Sequence, residues 1–336
     1  MHKHNQIILF LIVFFCIFLL TACSGSDNES IEESELPEVI EEENVQEPEI
    51  IGIYNPLTGL HVSKTQNITA VMVDNHSFAR PQSGLAQADI VYEIEAEGSI
   101  TRLMALFYGD PPEFVGPVRS ARPYYLQIAK EWDAYYVHVG GCNDSFAKIV
   151  EWKIRDIDDT KGHSGFFLDN TRRRPHSTYL NFEKALLGKA DNGIFKDWGF
   201  IETPDEYEGY TEVSFSYNGS NRVSYKWNDE EKVYFRYINN AVHVDRLGGQ
   251  LKANNIIIQY ANHRNLNTVL DHIWVDVIGN GKSEYFLGGQ YFQGTWEKKN
   301  ITAPTMFYDE HGNHIKLVEG QTWIQVLRPT IEILKL

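Results

Sequence analysis

Two basic loops hold the residues best suited to chemistry in this chain of 336 residues. In the run Val115-Gly-Pro-Val-Arg119-Ser-Ala-Arg122-Pro123, two guanidiniums stand just before a proline that suits the first position of a helix. The free N–H groups and dipole of a helix start favour an anion, and guanidiniums can fork onto phosphate or carboxylate. The run Arg172-Arg-Arg174-Pro175-His176 repeats the arrangement ahead of a second expected helix. The expectation is one anion pocket lined by Arg119, Arg122, Arg174 and His176, taking a phosphate, pyrophosphate or carboxylate. The competing arrangement pairs Arg119 and Arg122 internally with nearby glutamates, since structural ion networks are common.

Those glutamates form the second group. Alternation along a strand puts Val91, Glu93, Glu95 and Glu97 on one face, with Ile90, Tyr92, Ile94 and Ala96 on the other. Three carboxylates in a row could hold a hard cation or serve as acid and base at a glycosidic bond. A solvated face with Glu95 paired to Arg102 accounts for them equally. One strand cannot by itself set two carboxylates on opposite sides of a substrate. Cys142 follows Gly140-Gly141 at a helix start, where a thiolate would be stabilised and His138 or His163 could assist, but a lone cysteine is more often a small packed residue. Ser145-Phe-Ala-Lys148 matches a serine–lysine pattern whose companion Lys-Thr-Gly is absent. No His-Glu-x-x-His, Cys-x-x-Cys or phosphate loop occurs, so no metal and no cofactor are expected.

Positioning these residues requires alternating strands and helices. Thr69 to Val73 reads as a strand ending in Asp74-Asn75-His76. Ile90 to Glu97 and Ile100 to Tyr108 read as a hairpin closed by Gly98-Ser99, with paired positions summing to 197 and Glu95 opposite Arg102. Pro123 to about Trp132 reads as a helix with Tyr125, Ile128, Ala129 and Trp132 as its buried stripe. Ala134 to Val139 returns as a strand, Asp144 can cap the next helix, and a further helix spans about Thr178 to Leu187. From Val213 to Val244, β-rich runs broken by Asn218-Gly219, Asn228-Asp229 and Asn239-Asn240 read as an antiparallel meander, and further strands continue to Leu327. The fold class is α+β: an α/β module over 51–208, then a β-rich antiparallel module over 209–336.

The first 50 residues have a different texture. Lys3, an apolar run from Ile7 to Leu20 and the sequence Leu20-Thr21-Ala22-Cys23 read as a secretory signal, too short to span the hydrocarbon core. Leu20 to Cys23 resembles the bacterial lipobox. That resemblance implies cleavage after residue 22 and a diacylglycerol-bearing Cys23 as the membrane anchor. The formal net charge of -16 is concentrated just beyond that cysteine. Between Asp27 and Glu49 lie eleven acidic and no basic residues; without them and Lys3, 35 acidic and 29 basic residues remain. Such a segment stays solvated and extended, and residues 23–50 read as a tether reaching on the order of 90 Å. Hydrophobic content of 43% and seven tryptophans suit a packed body. Cys16, Cys23 and Cys142 are the three cysteines, and with one in the signal and one under lipid no internal disulfide is expected.

Several ordered motifs resemble the YerB family of bacterial lipoproteins: Arg80-Pro-Gln-Ser-Gly, Ala88-Asp-Ile-Val, Glu97-Gly-Ser-Ile-Thr-Arg102, the Val115 to Arg122 run, Pro175-His176-Ser-Thr-Tyr179, Asn255-Ile-Ile-Ile258 and Gly320-Gln-Thr-Trp-Ile324. The resemblance covers nearly all of residues 55 to 329. It implies two modules and Gram-positive placement on the outer face of the cytoplasmic membrane, and it brings no established reaction. The expected function is that of a non-catalytic binding or scaffold lipoprotein, partnered by the membrane and by a cell-wall polymer or envelope protein. The alternative is an envelope enzyme acting on a phosphorylated or glycan wall substrate through Arg119, Arg122, His176 and nearby carboxylates. Acidic balance and exported location disfavour nucleic acid as a partner.

Overall fold

The computed structural model describes residues 53–336, except 65–66, 187–188, 190–192, 195, 197 and 205–208. The signal segment, Cys23 and the acidic tether lie outside the described residues. Among the described residues no helix is long and apolar enough to cross a membrane.

The elements that matter here run in chain order as β1 (Thr69–Asp74), β2 (Ile90–Glu95), β3 (Thr101–Phe107), helix α1 (Pro123–Glu131), β4 (Tyr135–His138), helix α2 (Asn143–Glu151) and β5 (Arg155–Asp158). They continue as β6 (Glu212–Asn218), β7 (Asn221–Asn228), β8 (Val233–Ile238), β9 (Asn255–Tyr260), β10 (Gly279–Leu287), β11 (Gln290–Lys298), β12 (Met306–Asp309) and β13 (Thr322–Leu327). The fold is β-rich. Its centre is a ten-stranded mixed sheet in the order β12-β11-β10-β9-β13-β2-β3-β1-β4-β5. β13, from near the end of the chain, lies between β9 and β2 and runs parallel to both.

Both faces of this sheet are covered. Ala70, Met72, Ile90, Tyr92, Ile94 and Met104 pack with Tyr124, Tyr125 and Ile128 of α1 and with Trp132 just after it. On the opposite face Val71, Val73, Val91, Leu103 and Trp323 pack with Val213, Phe215, Val223, Tyr225 and Tyr234 of a second sheet built around β6, β7 and β8. A strand covered on both sides has no polar face, which is why Thr69–Asp74 is buried throughout and reads as a continuous apolar run. The β6–β7–β8 meander turns into its next short strand at Asn239 and Asn240, both in the left-handed region at φ 50° and 65°. Asn tolerates that region better than most residues, so the pair suits a primed turn.

Two local expectations fail. The β2–β3 register sums to 196, with Glu95 opposite Thr101 and Ile94 opposite Arg102. Glu97–Ser99 forms a short 3₁₀ turn in which the Ala96 N–H donates to the Ile100 carbonyl, so the connection is longer than two residues. A slip of one position moves a side chain to the other face, and Arg102 therefore faces away from Glu95. Thr178–Asn181 is a strand paired with Phe114–Val115 and Phe166–Leu168, and the helix occupies only Phe182–Leu186. The β-branched Thr178 and the aromatic Tyr179 find cross-strand partners there, and tertiary pairing overrides the helical spacing.

Candidate functional site

Strands β1, β4 and β5 are parallel, so their carboxyl ends share one edge of the sheet. In open sheets this edge is where ligands gather. Three loops converge on it: the segment after β1, the Gly140-Gly141 turn between β4 and α2, and the stretch leading into α1. The last is stitched down by backbone bonds from Asp74 N to Pro117 O, Arg119 N to Met72 O and Val139 N to Arg119 O.

At the centre is Asp74, fully buried at the end of β1. Its Oδ1 accepts from the His76 backbone N–H at 2.9 Å. Its Oδ2 lies 2.6 Å from His176 Nδ1 and 3.2 Å from Arg119 Nε. Arg119 Nε is an ion-pair neighbour without hydrogen-bond geometry. The two terminal guanidinium nitrogens of Arg119 have no partner among the described residues, and neither does His176 Nε2. The His176 ring stacks on His76 with centroids 5.1 Å apart, and Phe78, largely exposed, lies edge-on at 6.2 Å. Arg172 donates to the Phe78 and Pro81 carbonyls and so clamps the basic loop over the loop after β1. Arg173 and Arg174 are exposed. Arg174 is near Asp159, just past β5, where burial and then Asp158 raise the Asp159 carboxyl and Arg174 offsets part of the rise.

Arg122 does not join this group. Its Nε donates to Glu97 Oε2 at 2.7 Å, its Nη2 to Glu97 Oε1 and its Nη1 to the Ala121 carbonyl at 2.6 Å. Arg102 reaches the same carboxylate and the Ser120 carbonyl. Glu97 is thus a resident anion where a ligand would meet Arg122. Burial would raise the Glu97 carboxyl, but Arg102 and then Arg122 outweigh it and hold the pKa down at about 2. The four-residue anion set divides: Arg119 and His176 meet at Asp74, Arg174 is exposed near Asp159, and Arg122 is apart from them.

The glutamate row likewise separates into three closed ion groups. Glu93 is fully buried and bonds Arg236 at 2.6 Å, with Thr101 and Asn75 on its other oxygen. Glu95 pairs with Arg328 at 2.7 Å, and Glu97 lies beyond the strand with Arg102 and Arg122. Each carboxylate has its own guanidinium, so the row does not form a common cation site or an acid–base pair. Ser145 is buried and donates to the Ala121 carbonyl, while Lys148 bonds Glu151, so the serine and lysine do not meet. The Cys142 thiol is half-buried, 3.1 Å from Ser145 Oγ.

Sequence reasoning named His176 and Arg119 but not their organiser. Asp74 is separated from His176 by 102 positions, and the only local signal was Asp-Asn-His at the end of an apolar strand. A second group also went unseen: His138 and Asp158, opposite each other where β4 and β5 end, with Asp156 two residues earlier on β5.

The mixed sheet and its second sheet define a two-sheet, β-rich body with a basic edge. Residues 57–194 match the family described as "Protein of unknown function (DUF3048) N-terminal domain", and residues 212–324 match the corresponding C-terminal domain. The chain is 29% identical over 292 residues to "Putative lipoprotein YerB" of Bacillus subtilis (strain 168), covering 81% of this chain and 85% of that protein. The crystal structure of YerB from Bacillus subtilis superposes with a TM-score of 0.75 at 28% identity, covering 84% of this chain and all of that one. The chain belongs to the YerB-like family of lipoproteins.

Proposed function

We propose that this is a membrane-anchored envelope lipoprotein that binds a phosphate-bearing or carboxylate-bearing wall component at the Asp74 edge. In this reading residues 1–22 are removed, a lipid on Cys23 holds the chain on the outer face of the cytoplasmic membrane, and residues 23–50 are the spacer. Residues 51–208 act as an α/β module carrying the anion site, and residues 209–336 as a β-rich module. The likeness to a protein named as a lipoprotein supports the anchoring. One observation carries the ligand class: both terminal nitrogens of Arg119 are without protein partners among the described residues, beside the unpartnered Nε2 of His176. The free guanidinium N–H groups suit anionic oxygens, and the His176 Nε2 joins them as a donor when the ring is protonated, its Nδ1–H being given to Asp74. The exposed Phe78 and the stacked histidines add a ring surface of the sort that packs against a sugar.

The test is binding of pyrophosphate and of a phosphate-bearing wall polymer to the full chain in detergent. Arg119→Ala and His176→Ala should each weaken binding at least tenfold, the loss expected for one charge-assisted contact of about 1.5–3 kcal/mol. Equal affinity in wild type and both variants would refute the site.

A second reading rests on the 2.6 Å approach of Asp74 to His176 Nδ1. A carboxylate on Nδ1 orients an imidazole so that Nε2 can take or give a proton. That arrangement fits the alternative of an envelope enzyme acting on a phosphorylated substrate.

A further inference from the structure

His138 is fully buried where β4 ends, and its two nitrogens have unlike surroundings. Nδ1 lies 2.8 Å from the Gly140 carbonyl, which can only accept, so Nδ1 carries a hydrogen. In the neutral ring the lone pair is then on Nε2, and Nε2 has no hydrogen-bond partner. The group facing it is another acceptor, Asp156 Oδ2, at 3.7 Å. That gap is too long for a hydrogen bond. It is the separation expected of two atoms each about 2.1 Å from one ion, at an angle of roughly 120°.

We propose that the carboxyl ends of β4 and β5 form a divalent metal site of the zinc class, with His138 Nε2 and Asp156 as ligands and Asp158, on the Nδ1 side of the ring, adding negative charge nearby. The donor atoms of the three residues lie within 4.8 Å of one another. A metal-bound imidazole almost always donates its other N–H to a carbonyl or carboxylate, as His138 Nδ1 does to Gly140. Asp158 is fixed by the Gly140 and Thr160 N–H groups and the Thr160 hydroxyl, and its carboxylate lies 3.9 Å from Nδ1. Asp156 is half-buried, which leaves an entry path and open coordination positions for water or an external ligand. One nitrogen with carboxylates suits zinc or a similar borderline ion better than magnesium or calcium. The Lys161 ammonium, exposed and 2.6 Å from Asp156 Oδ2, supplies positive charge there now and would swing away as the ion enters. The site does not depend on the anion-binding reading.

Zinc titration of the purified full chain in detergent, followed by calorimetry and repeated with cobalt for its visible spectrum, tests this. One saturable site is expected. His138→Gln and Asp156→Asn should each weaken it at least tenfold, and Lys161→Ala should tighten it severalfold by removing the competing ammonium. Asp156 is on the outer side, so its variant remains informative should the buried His138→Gln fail to fold. Absence of saturable binding would overturn the proposal. Undiminished binding in Asp156→Asn would overturn it too, since the zinc would be held by other histidines.

Discussion

The Glu93 carboxylate and the Arg236 guanidinium meet at 2.6 Å with no exposed surface on either side chain. They join β2 of the large sheet to β8 of the second sheet, and neither ion is left with only one bond. Arg236 also donates to His243 Nδ1 at 3.0 Å and to the Tyr225 hydroxyl, and its guanidinium lies over the Trp323 ring at 4.4 Å. Burial, then Arg236 and Arg80, keeps His243 well below the ordinary histidine pKa, and its neutral ring passes the chain on to Gln82.

Removing one partner strands the other charge in the core. Glu93→Gln or Arg236→Met alone should cost about 3–5 kcal/mol in chemical denaturation, while the double variant should recover much of that loss. Additive losses would mean that the pair acts through its neighbours rather than through its own attraction.

Glu97 makes stability sensitive to acid. Its folded pKa, about 2, is below the ordinary value of 4.5, so the folded state favours the carboxylate. The stabilisation is fully present above about pH 5 and is lost as pH falls toward 2, on the order of 3 kcal/mol. Glu97→Gln should therefore flatten the denaturation midpoint between those limits. An unchanged acid slope in that variant would assign the sensitivity to other carboxylates.

Asp89 gives the opposite slope. Burial, against hydrogen bonds from the Tyr108 N–H and Asn55, raises its carboxyl to about 8. The folded state then holds a proton that the unfolded chain releases near pH 4, so stability falls as pH rises from about 4 through 8. Asp89→Asn keeps an oxygen for the Tyr108 N–H and should lose less stability than wild type between about pH 5 and 8. A parallel loss in both proteins would place the effect elsewhere.

What was legible in the sequence divides along physical lines. The apolar run at 69–73, the proline-led helix at 123 and the Asn-rich turns after 218 and 239 are local signals, and each marks an element that is present. The β2–β3 register was missed because Gly98-Ser99 satisfies a two-residue turn on paper, whereas Glu97 is drawn out of the strand by Arg102 and Arg122. The site was half visible. Residue types pointed to Arg119 and His176, but their shared carboxylate depends on parallel strands ending side by side, and no spacing along the chain encodes that. The same holds for His138 and Asp156, which become neighbours only through the β4–β5 pairing.

Asp74→Asn separates binding from proton transfer. Asparagine preserves an acceptor for the His76 N–H and fits the same buried volume, so the fold should survive at a cost of about 1–3 kcal/mol for imperfect pairing. Removing the carboxylate charge leaves Arg119 without its compensating anion, 3.2 Å away in the wild type. A site that only binds anions should then hold pyrophosphate more tightly, by roughly tenfold for about 1.4 kcal/mol of relieved competition. A site that turns over substrate through His176 should bind as well or better but lose its rate by a factor of roughly 10² to 10⁴, the range of general acid–base catalysis. Titration of the variant beside a turnover assay on phosphorylated wall fragments reads both quantities. Weaker pyrophosphate binding in a folded Asp74→Asn chain would show that Asp74 orders the Arg119 and His176 donors more than it neutralises them.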